Sequence, residues 1–210
     1  MRAWILWTCA TAFACGGKQD SAECLFGQSS EACDSGGGGG GGMHEPPERH
    51  LERDLAACER DDPAACDHLY FHRARVPAMH KPAIAKGLNH GCDDLSSAMS
   101  CLHLAIASRD DRQLALARSM FERACTLGLE LDTKEAVHVG CSEQAAHQWT
   151  GDPEAARALL GTACRHLTKD PSAPRPSRPC AELAKVSGCT SDVVGECSEL
   201  GIKIANAQPH

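Results

Sequence analysis

His68 and His72 stand four residues apart, with Cys66 and Asp67 just before them. On a helix that spacing puts both imidazoles on one face, and such a pair can hold zinc. Leu69-Tyr70 marks the buried face close by, and no C-x-x-C occurs in the chain, so the expectation is a solvated pair of histidines and no metal. His44, His50, His80, His90, His103, His138, His147 and His166 form no second cluster with ligand spacing, and no C-x-x-C-H is available for haem. Serine acylation commonly uses S-x-x-K, and no serine here has lysine three residues on. G-x-S-x-G and H-E-x-x-H are also missing, and the glycine run Gly36 to Gly42 lacks the lysine and helix start of a phosphate-cradling loop. No catalytic residue and no cofactor is expected.

The fourteen cysteines carry more information. Cys58 and Cys66 are eight apart, Cys92 and Cys101 nine, Cys189 and Cys197 eight; Cys125 and Cys141 are sixteen apart, as are Cys164 and Cys180. In the tight pairs the first cysteine falls in the last turn of one helix and the second in the first turns of the next. Two antiparallel helices on a short turn bring such positions within the Cα separation of about 4.4–6.8 Å that a disulfide needs. The wider pairs are expected to carry an inserted loop, Gly128 to Lys134 in one and Lys169 to Pro179 in the other. These spacings are too wide for a thioredoxin-type redox motif, so the cysteines are read as staples.

The elements that would position them are helices. Leu51, Leu55 and Cys58 fall on one helical face. Asp62-Pro63 and Asp152-Pro153 each combine a cap with a first-turn proline. Cys66, Leu69, Tyr70 and the stem of Arg73 form the apolar side of the helix after Asp62. Asp110 is the expected cap of a helix carrying Leu114, Leu116, Ala117, Met120, Phe121, Ala124 and Cys125, with Gly128 as its stop. Asp132 and Glu135 have capping-box spacing. Ala155, Ala156, Leu159, Leu160, Ala163 and Cys164 make the face of the helix after Asp152. No alternating Val, Ile and aromatic pattern marks a strand, so the fold class is all-α.

Before residue 48 the chain reads differently. Met1-Arg2 followed by the apolar Ala3 to Ala14 has the pattern of an export signal over residues 1–14, and Cys15 before Gly16-Gly17 resembles the acylation site of a bacterial lipoprotein, although Ala12 stands where leucine is usual. Fourteen cysteines less Cys9 and Cys15 leave twelve, an even number that can all pair. Residues 15–47, with seven consecutive glycines, are expected to be a flexible tether. Cys24 and Cys33 within it would close a small loop. Residues 48–205 form the helical domain and 206–210 a tail. The formal charge of −7 argues against nucleic acid and against anionic lipid, leaving the anchor at Cys15 as the membrane contact.

The first members of the pairs, at 58, 92, 125, 164 and 189, step by 34, 33, 39 and 25 residues, the period of helix-pair repeats. The segments resemble the cysteine-rich Sel-like repeats, relatives of tetratricopeptide repeats. The likeness rests on Ala57-Cys58 through Ala65-Cys66 with Leu69, on Ala117 through Phe121-Glu122-Arg123-Ala124-Cys125 with Leu127-Gly128, and on Ala155 through Leu160 with Cys164. The glycines that family carries between paired helices are mostly missing here. The resemblance implies a short right-handed α-solenoid stapled by disulfides, with a concave surface for a peptide or protein. On that surface the register of the inner helices places Tyr70, His103, Glu143 and Trp149 as contact residues. Some relatives are described as β-lactam-binding or -hydrolysing, but the missing S-x-x-K gives that activity no foothold here. The expected protein is an exported, monomeric interaction module, anchored in the envelope or else periplasmic or secreted; the alternatives are a β-lactam-binding or -hydrolysing enzyme, as the resemblance implies, and a passive structural lipoprotein.

Overall fold

The computed structural model describes residues 46–169, 176–191 and 194–207. The expected signal segment, Cys15, the Cys24 and Cys33 pair, most of the tether and the last three residues lie outside these. The described residues hold helices and no strand: α1 Pro47–Cys58, α2 Pro63–His72, α3 Lys81–Asp93, α4 Ala98–Asp110, α5 Leu114–Leu131, α6 Ser142–Gln148, α7 Pro153–Thr168, α8 Arg178–Val186 and α9 Val194–Ala207. A 3-10 turn at Ala78–His80 leads into α3, and a π-turn at Ala136–Cys141 runs directly into α6. The first helix begins at Pro47 and the last runs to Ala207, so each end of the helical region reaches slightly past residues 48–205. No described helix is long and apolar enough to cross a membrane.

Local chemistry sets most helix starts. Asp62 accepts hydrogen bonds from the Ala64 and Ala65 amides, and Asp152 from the Ala155 amide. Each cap contributes about 1 kcal/mol, and the proline after it removes one of the unpaired first-turn N–H groups. Ser97 caps α4 by accepting from the Ser100 amide. Asp110 does not cap α5. It lies in the last turn of α4, and α5 starts after Gln113 with no side-chain cap. Nor do Asp132 and Glu135 form a capping box: Asp132 ends α5 in the left-handed conformation, φ 59°.

Gly128 is not a stop either. Helix α5 continues to Leu131, so the sixteen-residue spacing of Cys125 and Cys141 comes from an extra helical stretch and the widened π-turn, not from an inserted loop. Four corners between helices use Asp61, Ser96, Arg112 and Asp132 at positive φ, a conformation where glycine is the usual choice. Gly188 takes such a corner at φ 102°, while Gly91 and Gly201 sit inside helices where a neighbour approaches closely. A Cβ on Gly91 would lie 2.2 Å from the Ser100 hydroxyl, and one on Gly201 would lie 1.8 Å from the Cys180 carbonyl oxygen.

Each helix packs on its successor, and helices two apart also touch, as α1 does α3, α2 does α4 and α7 does α9. The largest core group joins Leu51, Leu69, Ile84, Leu88, Leu102 and Phe121 across α1 to α5. A second gathers Ala156, Leu160, Leu183 and Ala205 from α7 to α9. Each fully buried leucine contributes roughly 2 kcal/mol. Leu114 and Leu116, expected on the buried face of α5, are exposed because the helix turns them away from α4; Ala117, Phe121 and Ala124 form the face that packs. Ala155 is likewise exposed while Ala156 and Leu160 are buried.

Five cysteine pairs sit at bonding distance. Cys58–Cys66, Cys92–Cys101, Cys125–Cys141 and Cys164–Cys180 have Cα separations of 4.7, 4.6, 4.7 and 4.8 Å, and Cys189–Cys197 has 6.0 Å. The first four each hold an odd-numbered helix to the segment that returns alongside it. Such bridges belong to an oxidising compartment.

Candidate binding face and the adjoining histidine cluster

Tyr70 and His103 meet. Their rings stack with centroids 4.6 Å apart and planes 10° from parallel. Tyr70 comes from α2 and His103 from the neighbouring turns of α4. Their approach is fixed by Asp67, whose carboxylate accepts from the Ser97 and Ser100 hydroxyls at 2.7 and 2.5 Å, tying α2 to the start of α4. The His103 Nδ1–H donates to the Asp67 carbonyl at 3.0 Å. A carbonyl only accepts, so neutral His103 carries its proton on Nδ1 and leaves Nε2 with a lone pair. Burial pushes the imidazole below its ordinary pKa, against the opposing pull of Asp67. Phe71 sits edge-on to both rings, at 5.7 Å from Tyr70 and 5.4 Å from His103, and is 52% exposed. Sequence reading passed over Phe71, because its neighbour Tyr70 carried the helical periodicity.

Glu143 lies in α6, away from this stack. Its Oε1 accepts from Arg109 of α4 at 3.3 Å and from Arg178 of α8 at 3.0 Å. Arg178 also pairs with Glu182 at 2.7 Å. Burial works against the Arg178 charge, but Glu182 and Glu143 outweigh it and raise its pKa above the ordinary value. Contacts therefore pass from α2 to α4 through Tyr70 and His103, and from α4 through α6 to α8 by the Arg109–Glu143–Arg178 ladder. Trp149 is not part of this row. It packs on the core group of Ala145, Ala156, Leu160 and Cys164, with the Arg157 guanidinium 5.8 Å from its ring centre.

An open cleft of about 390 Å³ lies where α5, α6 and the start of α7 meet, lined by Arg118, Glu122, Gln144, His147, Gln148 and Asp152 among others. The side-chain oxygens of Gln144 and Gln148 are buried with no hydrogen-bond partner.

His68 and His72 are not a solvated pair. Asp54, on the facing turn of α1, accepts from His68 Nδ1 at 2.8 Å and from His72 Nε2 at 2.7 Å, both on Oδ2. The His68 side chain is 59% exposed, whereas that of His72 is only 7% exposed. Burial raises the Asp54 pKa, but the two imidazole hydrogen bonds and their charges outweigh it and hold the carboxyl below its ordinary value. The signal for Asp54 was present in the chain. It stands one turn before Cys58, and His68 and His72 flank the position one turn beyond Cys66, so the bridge sets all three against each other. The histidine cluster adjoins the aromatic face, since the His68 and Phe71 rings are 5.7 Å apart.

The fold and these sites define an all-α, disulfide-bridged protein. No protein-family model, no curated protein and no solved structure matches the chain.

Proposed function

We propose that this protein is an exported, envelope-anchored interaction module. In this reading residues 48–205 form a short right-handed α-solenoid of Sel-like repeats, and an acylated Cys15 with the glycine-rich tether holds it at a membrane. The order of helix contacts, each helix on the next and several on the next but one, suits stacked helix pairs. The five bridges suit an oxidising location outside the cytosol.

The observation that carries the binding role is the row of side chains on the even-numbered helices. It begins with an exposed aromatic group at Phe71, beside the Tyr70–His103 stack, and continues with charged groups at Arg109, Glu143 and Arg178. An aromatic anchor on α2 and charged groups on the helices that follow would offer an extended peptide one apolar contact and several polar ones. Trp149, partly buried after α6, stays in the proposed contact set.

The test is affinity capture from detergent-solubilised envelopes under non-reducing conditions. The wild-type chain should recover a partner that a Phe71→Glu chain and a reduced chain both lose. Recovery unaffected by either change would overturn the reading. Mass spectrometry of the mature chain should find a diacylglycerol-modified Cys15 at its start; an unmodified Cys15 there would remove the anchor.

A further inference from the structure

We infer that Asp54, His68 and His72 form a binding site for a single divalent transition-metal ion, with zinc as the expected occupant. Three donor atoms, Asp54 Oδ2, His68 Nδ1 and His72 Nε2, lie within 4.8 Å of one another. Tetrahedral zinc with ligands at about 2.0–2.1 Å places its donors roughly 3.3 Å apart. The carboxylate oxygen, at 2.7 and 2.8 Å from the two nitrogens, has to open slightly, and the imidazoles have to close. The His68 side chain, 59% exposed, has room to rotate toward the ion.

The scaffold around the three groups is built for rigidity. His68 and His72 are one helical turn apart on α2, a spacing that makes a two-point chelate without a loop to order. The third ligand comes from α1, and the Cys58–Cys66 bridge locks α1 to α2 four residues from Asp54 and two from His68. A preformed site avoids most of the ordering entropy that a flexible one would lose on binding. Two imidazoles and one carboxylate form a nitrogen-rich donor set of intermediate softness, which suits zinc, copper or nickel better than calcium or magnesium.

Without a metal, both ring N–H groups crowd one carboxylate oxygen, Oδ2. A cation in their place takes a lone pair from each neutral ring, whose N–H moves to the ring's other nitrogen, and it leaves one tetrahedral position open. Water or a partner's side chain fills that position. Neither the aromatic face nor its proposed partner is needed for the metal to bind.

The test is zinc titration of the tag-free, oxidised full chain after chelator treatment, with bound metal counted by elemental mass spectrometry. One equivalent should bind saturably to the wild type. Asp54→Asn and His68→Ala should each weaken it by about tenfold or more. His90→Ala should leave it unchanged, although His90 also touches two carboxylates, Asp61 and Asp94. His68→Ala removes a mostly exposed side chain, so circular dichroism should report an unchanged helix content, making a binding loss attributable to the ligand. Cobalt in place of zinc should give ligand-field bands with no sulfur-to-metal charge-transfer band. No saturable binding, binding unaffected by Asp54→Asn and His68→Ala, or a thiolate band lost with neither variant would overturn the site.

Discussion

The His103 imidazole lies flat on the Tyr70 ring while its Nδ1–H donates to the carbonyl of Asp67, three residues before Tyr70. One residue of α4 thus engages both the backbone and a side chain of α2. This double contact explains why a histidine is buried here with its proton placement already decided.

Histidine titration should separate two environments. Burial holds His103 below the ordinary value of 6.5. His90 is raised above 6.5, first by its hydrogen bond to Asp94 and further by Asp61. For His103, between its folded value and 6.5 the unfolded chain is protonated and the folded chain is not, so stability rises with pH across that window and falls on acidification. His90 acts in the opposite sense: its contribution is fully present below 6.5 and is lost as pH rises through the raised folded value. A proton-NMR titration should put the His103 midpoint below 6.5 and that of His90 above it. Replacing His103 with glutamine should flatten the acid limb of a plot of melting temperature against pH.

Gly201→Ala should destabilise the chain by about 3 kcal/mol, since the new methyl meets the backbone of Cys180, which cannot move aside without shifting α8. Gly195→Ala in the same helix meets nothing within 4 Å. It should be neutral or stabilise by about 0.5 kcal/mol through the lost freedom of the unfolded chain. Urea unfolding of the two oxidised variants gives the comparison, and equal effects would contradict the close approach of α9 to α8.

Removing the Cys92–Cys101 bridge with a double alanine substitution should cost about 2–3 kcal/mol, by the loop-closure entropy of nine residues. The sixteen-residue Cys125–Cys141 loop should cost roughly half a kcal/mol more on the same account. Paired denaturation curves would reveal the order; a smaller loss for the longer loop would show that native packing outweighs chain entropy there.

Glu143→Gln should lower stability by about 1 kcal/mol, with a loss that shrinks as salt is added. Arg109 and Arg178 are 44% and 39% exposed at their side chains, and solvent screening keeps the effect that small. A double-mutant cycle with Arg178→Met would measure the coupling, and a coupling near zero would make the ladder a surface coincidence.

Much of the architecture was legible because it rests on local rules. Asp62 and Asp152 cap where an acid before a proline should, and the cysteine spacing places each bridge at a helix pair. The failures share a cause. Gly128 and Asp132 were read by the usual roles of glycine and aspartate at helix ends, yet here the glycine makes room for the neighbouring Ala136 and Val137, and the aspartate takes the left-handed corner. Close crossing of helices is a tertiary fact that no single segment announces. At the candidate site, Tyr70 and His103 were named one by one from register, but their stacking depends on α2 and α4 lying side by side. Asp54 escaped notice for the same reason, since the ligand opposite His68 and His72 belongs to another helix.

Among the described residues the bridges do not cross: each closes its own short segment before the next begins. A protease meeting this chain therefore finds two kinds of cut. Scission between Cys58 and Cys66, or inside any other bridged segment, breaks the backbone and leaves the fragments covalently joined. Scission between α2 and α3, where Met79 is 80% exposed and none of the five bridges among the described residues spans the gap, leaves two pieces that these bridges do not join. A molecule nicked inside a bridged segment would run as one band until its disulfides are reduced.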